Sequence, residues 1–82
     1  MNKDYSVHPG SIMKHIIMSM GKNQAWLAES MNMSKSSISL LLNQKRSVSK
    51  EIAEAFEMAT GYSSELLLKH QEEYDLYKKA NN

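Results

Sequence analysis

Hydroxyl, amide and cationic side chains are concentrated between Ser34 and Arg46, in the segment SKSSISLLLNQKR. Serine, asparagine, lysine and arginine offer hydrogen bonds, which is the chemistry of recognising base edges and phosphates rather than of breaking bonds. The groups that could catalyse are poorly spaced. His8, His15 and His70 share no i, i+4 relation, and neither a His-Glu-x-x-His nor a cysteine pattern occurs, so no metal site is expected. Glu72 and Glu73 are adjacent on an expected helix, point about 100° apart and cannot pair as acid and base. Gly10, Gly21 and Gly61 are isolated and build no phosphate-cradling loop. The expectation is a chain with no catalytic residue, no cofactor and no metal, and hence not an enzyme.

Short helices must position the reading groups. Leu27, Ala28 and Met31 place an apolar stripe on one helix, with Asn23 as its N-cap. Asn32 ends it, because asparagine tolerates the left-handed backbone that a sharp reversal demands. Ser34 caps the next helix. There Ile38, Leu41 and Leu42 cluster on one side, while Ser36 and Leu40 point to the other. Two short apolar-faced helices joined by a tight turn leave one face free to enter a DNA groove.

Three further helices complete an all-α reading without strands, since no stretch alternates apolar and polar residues for long. The first should start near Pro9, present Ile12, Ile16, Ile17 and Met20 to the core, and stop at Gly21. After the polar connector NQKRSVS, Ser49 caps a fourth helix carrying Ile52, Ala53, Phe56 and Ala59, ended by Gly61. Ser63 or Ser64 opens the last, a C-terminal helix over 63–80, with Glu65 in its first turn and Lys78 and Lys79 in its last. Residues 1–7 are expected to be a flexible N-terminus, and Asn81 and Asn82 a tail. The seven methionines read as core filler, with Met13, Met18 and Met58 on partly exposed turns. With no repeat or linker, 1–82 is expected to be a single domain.

At 82 residues the chain is near the lower limit for a self-sufficient core, and a homodimer would help it. The absence of cysteine and of any apolar run near the ~18 residues of a membrane span points to a soluble cytoplasmic protein without a membrane role. The net charge of +1 conceals an asymmetry. Residues 1–50 carry seven bases against two acids, a balance of +5, and residues 51–82 carry three bases against seven acids, a balance of −4. A nucleic-acid duplex should therefore approach the N-terminal side, leaving the acidic side for solvent, a twin subunit or a basic protein.

Gln24, Leu27, Ala28, Asn32, Ser34, Asn43 and Lys45 together resemble the motif of the Xre/Cro-type helix-turn-helix repressors. HPGSIM at 8–13 and SSELLLKHQEEYDL at 63–76 are similar to the flanks of one branch, the HigA-type antitoxins, also called virulence-associated protein I-like. The resemblance implies a five-helix, lambda-repressor-like DNA-binding domain with its helix-turn-helix at helices 2 and 3. It also implies a dimeric repressor that binds double-stranded DNA at a palindromic operator, regulates its own operon and neutralises a small mRNA-interferase toxin.

By correspondence with that motif, Lys35, Ser36 and Leu40, with Ser39 beside them, face the groove. Lysine donates to guanine O6 or N7, serine pairs with several bases, and leucine touches only a thymine methyl. Gln24, Ser34, Ser37, Asn43, Lys45 and Arg46 are the phosphate candidates, positioning the protein without specifying sequence. Trp26 departs from the family pattern and reads either as core or as an anchor for a protein partner. Leu67, His70, Tyr74 and Tyr77 form a stripe on the last helix, read as a dimer seam or toxin contact because a C-terminal helix should add little core. Two rival functions stay open: a stand-alone phage-type repressor, and a toxin-binding module with little DNA affinity.

Overall fold

Five helices follow one another as α1 (Pro9–Ser19), α2 (Gln24–Met31), α3 (Lys35–Leu42), α4 (Lys50–Thr60) and α5 (Ser64–Ala80). The computed structural model describes residues 8–80, so the expected flexible segment 1–7 and the tail at Asn81 and Asn82 lie outside the described residues. The expected caps of the middle helices form. Asn23 Oδ1 accepts from Trp26 N–H at 2.9 Å, Ser34 Oγ from Ser37 N–H at 3.1 Å, and Ser49 Oγ from Ile52 N–H at 3.3 Å. Each satisfies one of the backbone donors that a helix start leaves without an intrahelical partner.

The first three helices stop in the same way. Gly21, Asn32 and Gln44 adopt positive φ of 74°, 56° and 65°. The residue after each donates its N–H back five positions: Lys22 to the Ile17 carbonyl, Met33 to Ala28 and Lys45 to Leu40, at 2.8, 2.9 and 2.8 Å. This is the Schellman arrangement, which occupies carbonyls a helix end would otherwise leave open. Gln44 is the unexpected member, since a long side chain gains nothing from left-handed backbone. Its amide Nε2 donates to Ser11 Oγ at 2.6 Å, tying the turn after α3 to the start of α1.

The core draws on every helix: Met13 and Ile17, then Leu27, Ala28 and Met31, then Ile38, Leu41 and Leu42, then Ile52, Ala53 and Phe56, and finally Leu67, with Val48 from the connector. α1 packs on α3 and α5, α2 on α3 and α4, and α4 on α5. Phe56 is fully buried and meets Tyr62 edge-on, with ring centroids 6.5 Å apart. The expected face of α1 is corrected. Met13 and Ile17 point inward, one helical turn apart, whereas Ile12 and Ile16 are half-buried and Met20 is exposed. Met13 is thus core rather than an exposed turn residue, while Met18 and Met58 are exposed as expected.

α1 enters against the end of α3 so closely that a Cβ at Gly10 would overlap the Leu41 carbonyl oxygen, a backbone atom. Gly10→Ala is therefore expected to lower unfolding stability by about 1–3 kcal/mol through overpacking. Chemical denaturation checks this, and an unchanged midpoint would show that α1 does not need that approach.

Candidate nucleic-acid interface

With Ile38, Leu41 and Leu42 turned inward, α3 presents its other side to solvent. Lys35, Ser36 and Leu40 are exposed and Ser39 is half-buried beside them. Leu40 retains 46% of its surface, an apolar side chain with no core role. Around this face, Ser34, Asn43, Lys45 and Arg46 are exposed, and Gln24 and Ser37 are half-buried. Residues 30–50 hold four bases, Lys35, Lys45, Arg46 and Lys50, and no acid. A phosphate approaching α3 and the connector after it therefore meets no carboxylate from that stretch.

The serines are bonded to one another. Ser34 Oγ accepts from Ser37 N–H and donates to Ser37 Oγ at 2.9 Å, and it lies 3.2 Å from Ser36 Oγ. Since the single Ser34 proton points to Ser37, Ser36 is the donor in that last pair, and its oxygen remains able to accept. At the far end, Asn43 Nδ2 donates to Ser39 Oγ at 3.1 Å, which leaves the Ser39 hydroxyl proton and the second Asn43 amide proton for an outside acceptor. The arrangement can donate to phosphates at both ends of α3. Toward base edges it offers one cation, two hydroxyls and a methyl-bearing surface.

The stripe expected on α5 divides. Leu67 is completely buried, so it is core and cannot meet a partner, and α5 adds more core than a terminal helix was expected to. The reason is that α5 packs on both α4 and α1. His70 is half-buried, and Tyr74 is half-buried with its ring edge-on to His8, centroids 4.9 Å apart. Tyr77 is 41% exposed and shares the open surface of α5 with Leu66 and Leu76, two residues outside the expected stripe. Trp26 is half-buried against the core, with the Lys22 ammonium 5.3 Å from its ring centroid.

Two buried polar residues were not anticipated. His8 caps α1, its Nδ1 accepting from Gly10 N–H at 2.8 Å. Gln71 accepts from Val48 N–H at 2.8 Å and donates to Asp75 Oδ1 at 2.9 Å. Burial lowers the pKa of His8 below its ordinary 6.5, with Asp75 and the Arg46 main chain acting in the opposite sense. The one sequence signal for His8 was its place before Pro-Gly. Among the described residues, no group of three or more His, Asp or Glu side chains could hold a metal, and no helix is long and apolar enough to cross a membrane.

No protein-family model matches the chain, and no curated protein matches it. Solved structures do. A candidate antidote protein of a plasmid maintenance system from Nostoc punctiforme is 29% identical, with a TM-score of 0.85 over 92% of this chain and 82% of that one. An addiction module antidote protein of the HigA family from Coxiella burnetii is 24% identical, with a TM-score of 0.78 over 87% and 78%. The Pseudomonas aeruginosa antitoxin HigA, crystallised with the higBA promoter, is 23% identical, with a TM-score of 0.83 over 90% and 82%. The five helices of this chain, with α2 and α3 as the helix-turn-helix, thus have the fold of these antidote proteins.

Proposed function

We propose that this chain is a sequence-specific DNA-binding repressor that serves as the antitoxin of a type II toxin-antitoxin pair, neutralising an mRNA-interferase toxin and repressing its own operon in the cytoplasm. The observation that carries the reading is the exposed, acid-free hydroxyl and lysine face of α3, flanked by cations and capped by Ser34. Its support from outside the chain is the likeness to an antitoxin crystallised with promoter DNA. In this reading the chain is one domain, and Lys35, Ser36, Ser39 and Leu40 meet base edges. Gln24, Ser34, Ser37, Asn43, Lys45 and Arg46 meet phosphates.

A homodimer would place two copies of α3 in successive major grooves of a palindromic operator, with half-sites about 34 Å apart. The surface we assign to self-association or toxin contact is the open side of α5, at Leu66, Leu76 and Tyr77, instead of the buried Leu67. His70 and Tyr74 border it, and Trp26 is a separate candidate anchor for the toxin. One observation favours a second reading, a toxin-binding module with little DNA affinity: the serines of α3 spend part of their hydrogen bonding on one another.

Titration of labelled operator at several salt concentrations decides between the two, since a module without DNA function forms no salt-sensitive, sequence-preferring complex. Lys45→Ala and Arg46→Ala should each weaken binding to all sequences alike and reduce the log-log salt slope by about 0.9. A loss confined to the operator would reassign them to base reading. Leu76→Glu should leave helicity intact, because Leu76 is 61% exposed, and yield a monomer in sedimentation. A dimer that persists would place the seam elsewhere.

A further inference from the structure

Ser11, Lys14, His15 and Met18 recur at i, i+3, i+4 and i+7, so they share one side of α1, turned away from Met13 and Ile17 in the core. That side faces the C-terminal end of α3 across an open cleft of about 350 Å³, whose other wall is Leu42, Asn43 and Gln44. Two contacts fix the walls relative to each other. The Gln44 amide donates to Ser11 Oγ at 2.6 Å, and the Gly10 backbone lies so near the Leu41 carbonyl that no Cβ would fit between them. The cleft is therefore built into the packing of α1 on α3.

Its charge has one sign. Residues 8–28 and 30–50, which supply both walls, contain no aspartate or glutamate. Lys14 is exposed and has no ion pair among the described residues, and His15 is exposed beside it. Ser11 keeps its own hydroxyl proton, because its Oγ is the acceptor in the bond from Gln44. From the opposite wall comes the second Asn43 amide proton, the first being spent on Ser39 Oγ at 3.1 Å. Through Asn43 and Ser39 the cleft continues the exposed face of α3 onto α1, with no carboxylate from either helix in between.

We propose that this cleft seats a backbone phosphate of the duplex bound by α3, with the Lys14 ammonium as its counter-charge and Asn43 as the amide donor from the other wall. The inference rests on the DNA-binding reading above, which it extends from the helix-turn-helix to α1. A lysine ammonium neutralises a phosphate as a point charge, and an amide adds a directed hydrogen bond, so the pair both attracts and places the anion. The Ser11 hydroxyl and the His15 ring line the same space, and Met18, 65% exposed, gives it an apolar rim suited to a deoxyribose. Continuity with the α3 face favours duplex DNA over an acidic protein as the occupant. The contact positions the protein and reads no base, since phosphates carry no sequence information.

Lys14→Ala tests the proposal, with Lys14→Arg as the control that keeps the charge. Residue 14 is exposed, so neither exchange should shift the unfolding midpoint by more than about 0.5 kcal/mol in stability. Operator titrations at several salt concentrations should show the log-log slope reduced by about 0.9 per half-site in Lys14→Ala and restored in Lys14→Arg. A second measurement locates the contact: operators carrying one neutral methylphosphonate at a time are bound to the parent, to Lys14→Ala and to Asn43→Ala. At one position in each half-site the neutral linkage should weaken the parent by roughly eightfold at about 0.1 M salt, the factor a slope of about 0.9 implies relative to about 1 M. At that same position it should leave Lys14→Ala unchanged and have a reduced effect on Asn43→Ala. An unchanged slope in Lys14→Ala, or different phosphates sensed by Lys14 and Asn43, overturns the proposal while the parent still binds operator. A parent that forms no salt-sensitive operator complex instead sinks the DNA-binding reading beneath it.

Discussion

The rotation of α3 about its own axis is set by three side chains, Ile38, Leu41 and Leu42, none more than 2% exposed. Burying an aliphatic side chain of this size contributes about 1.5–3 kcal/mol, so the three together rival the whole stability of a small domain. Turning the helix by one residue would bring Leu40 inward and drive one of the three out. Everything at the proposed DNA surface follows from that orientation, including which serines are wet and where Lys35 points. The caps at Asn23 and Ser34 and the left-handed turn at Asn32 add smaller increments, and they decide where the helix begins rather than which way it faces.

The face so exposed is better built for position than for sequence. Ser34, Ser36 and Ser37 share a local network, and a base edge must compete with it for the Ser36 proton. Leu40 supplies shape and apolar contact, a weak discriminator beside a bidentate pair. Under the proposed function, affinity then comes from Lys45, Arg46 and the amide and hydroxyl donors, and selectivity leans on Lys35 and on how readily a given duplex adopts the bound shape.

The helix-turn-helix was legible because its determinants are local: Asn23, Asn32 and Ser34 act on residues within four positions, and the stripe of α3 repeats within two turns. The same held for Ser49, Gly61 and Phe56. What sequence reasoning missed is long-range. α1 offered two overlapping apolar faces, and only the position of α3 selects Met13 and Ile17 over Ile12, Ile16 and Met20. Gln44 has no intrinsic reason for φ of 65°, and its bond to Ser11 spans 33 positions. Leu67 read as surface because a terminal helix was given no partner, whereas α5 lies against α4 and α1. His8 and Gln71 have the same cause, polar residues buried because distant backbone groups satisfy them.

Gln71 also bounds how strongly events on α5 can reach the proposed DNA contacts. Its amide fills two roles, accepting from Val48 N–H in the connector and donating to Asp75 one turn along the helix. Leaving Val48 N–H buried without a partner would cost about 1–3 kcal/mol, and that is the largest difference this bond can transmit. Such a difference corresponds to a factor of about 5–150 in affinity, the usual span of coupling between sites. A protein bound on the open side of α5 need not displace the bond, since Leu66 and Leu76 are exposed and Gln71 is not. Coupling through this pair therefore requires α5 to shift as a body, and Leu67, completely buried against its neighbours, opposes that movement at a cost of the same order as the bond itself.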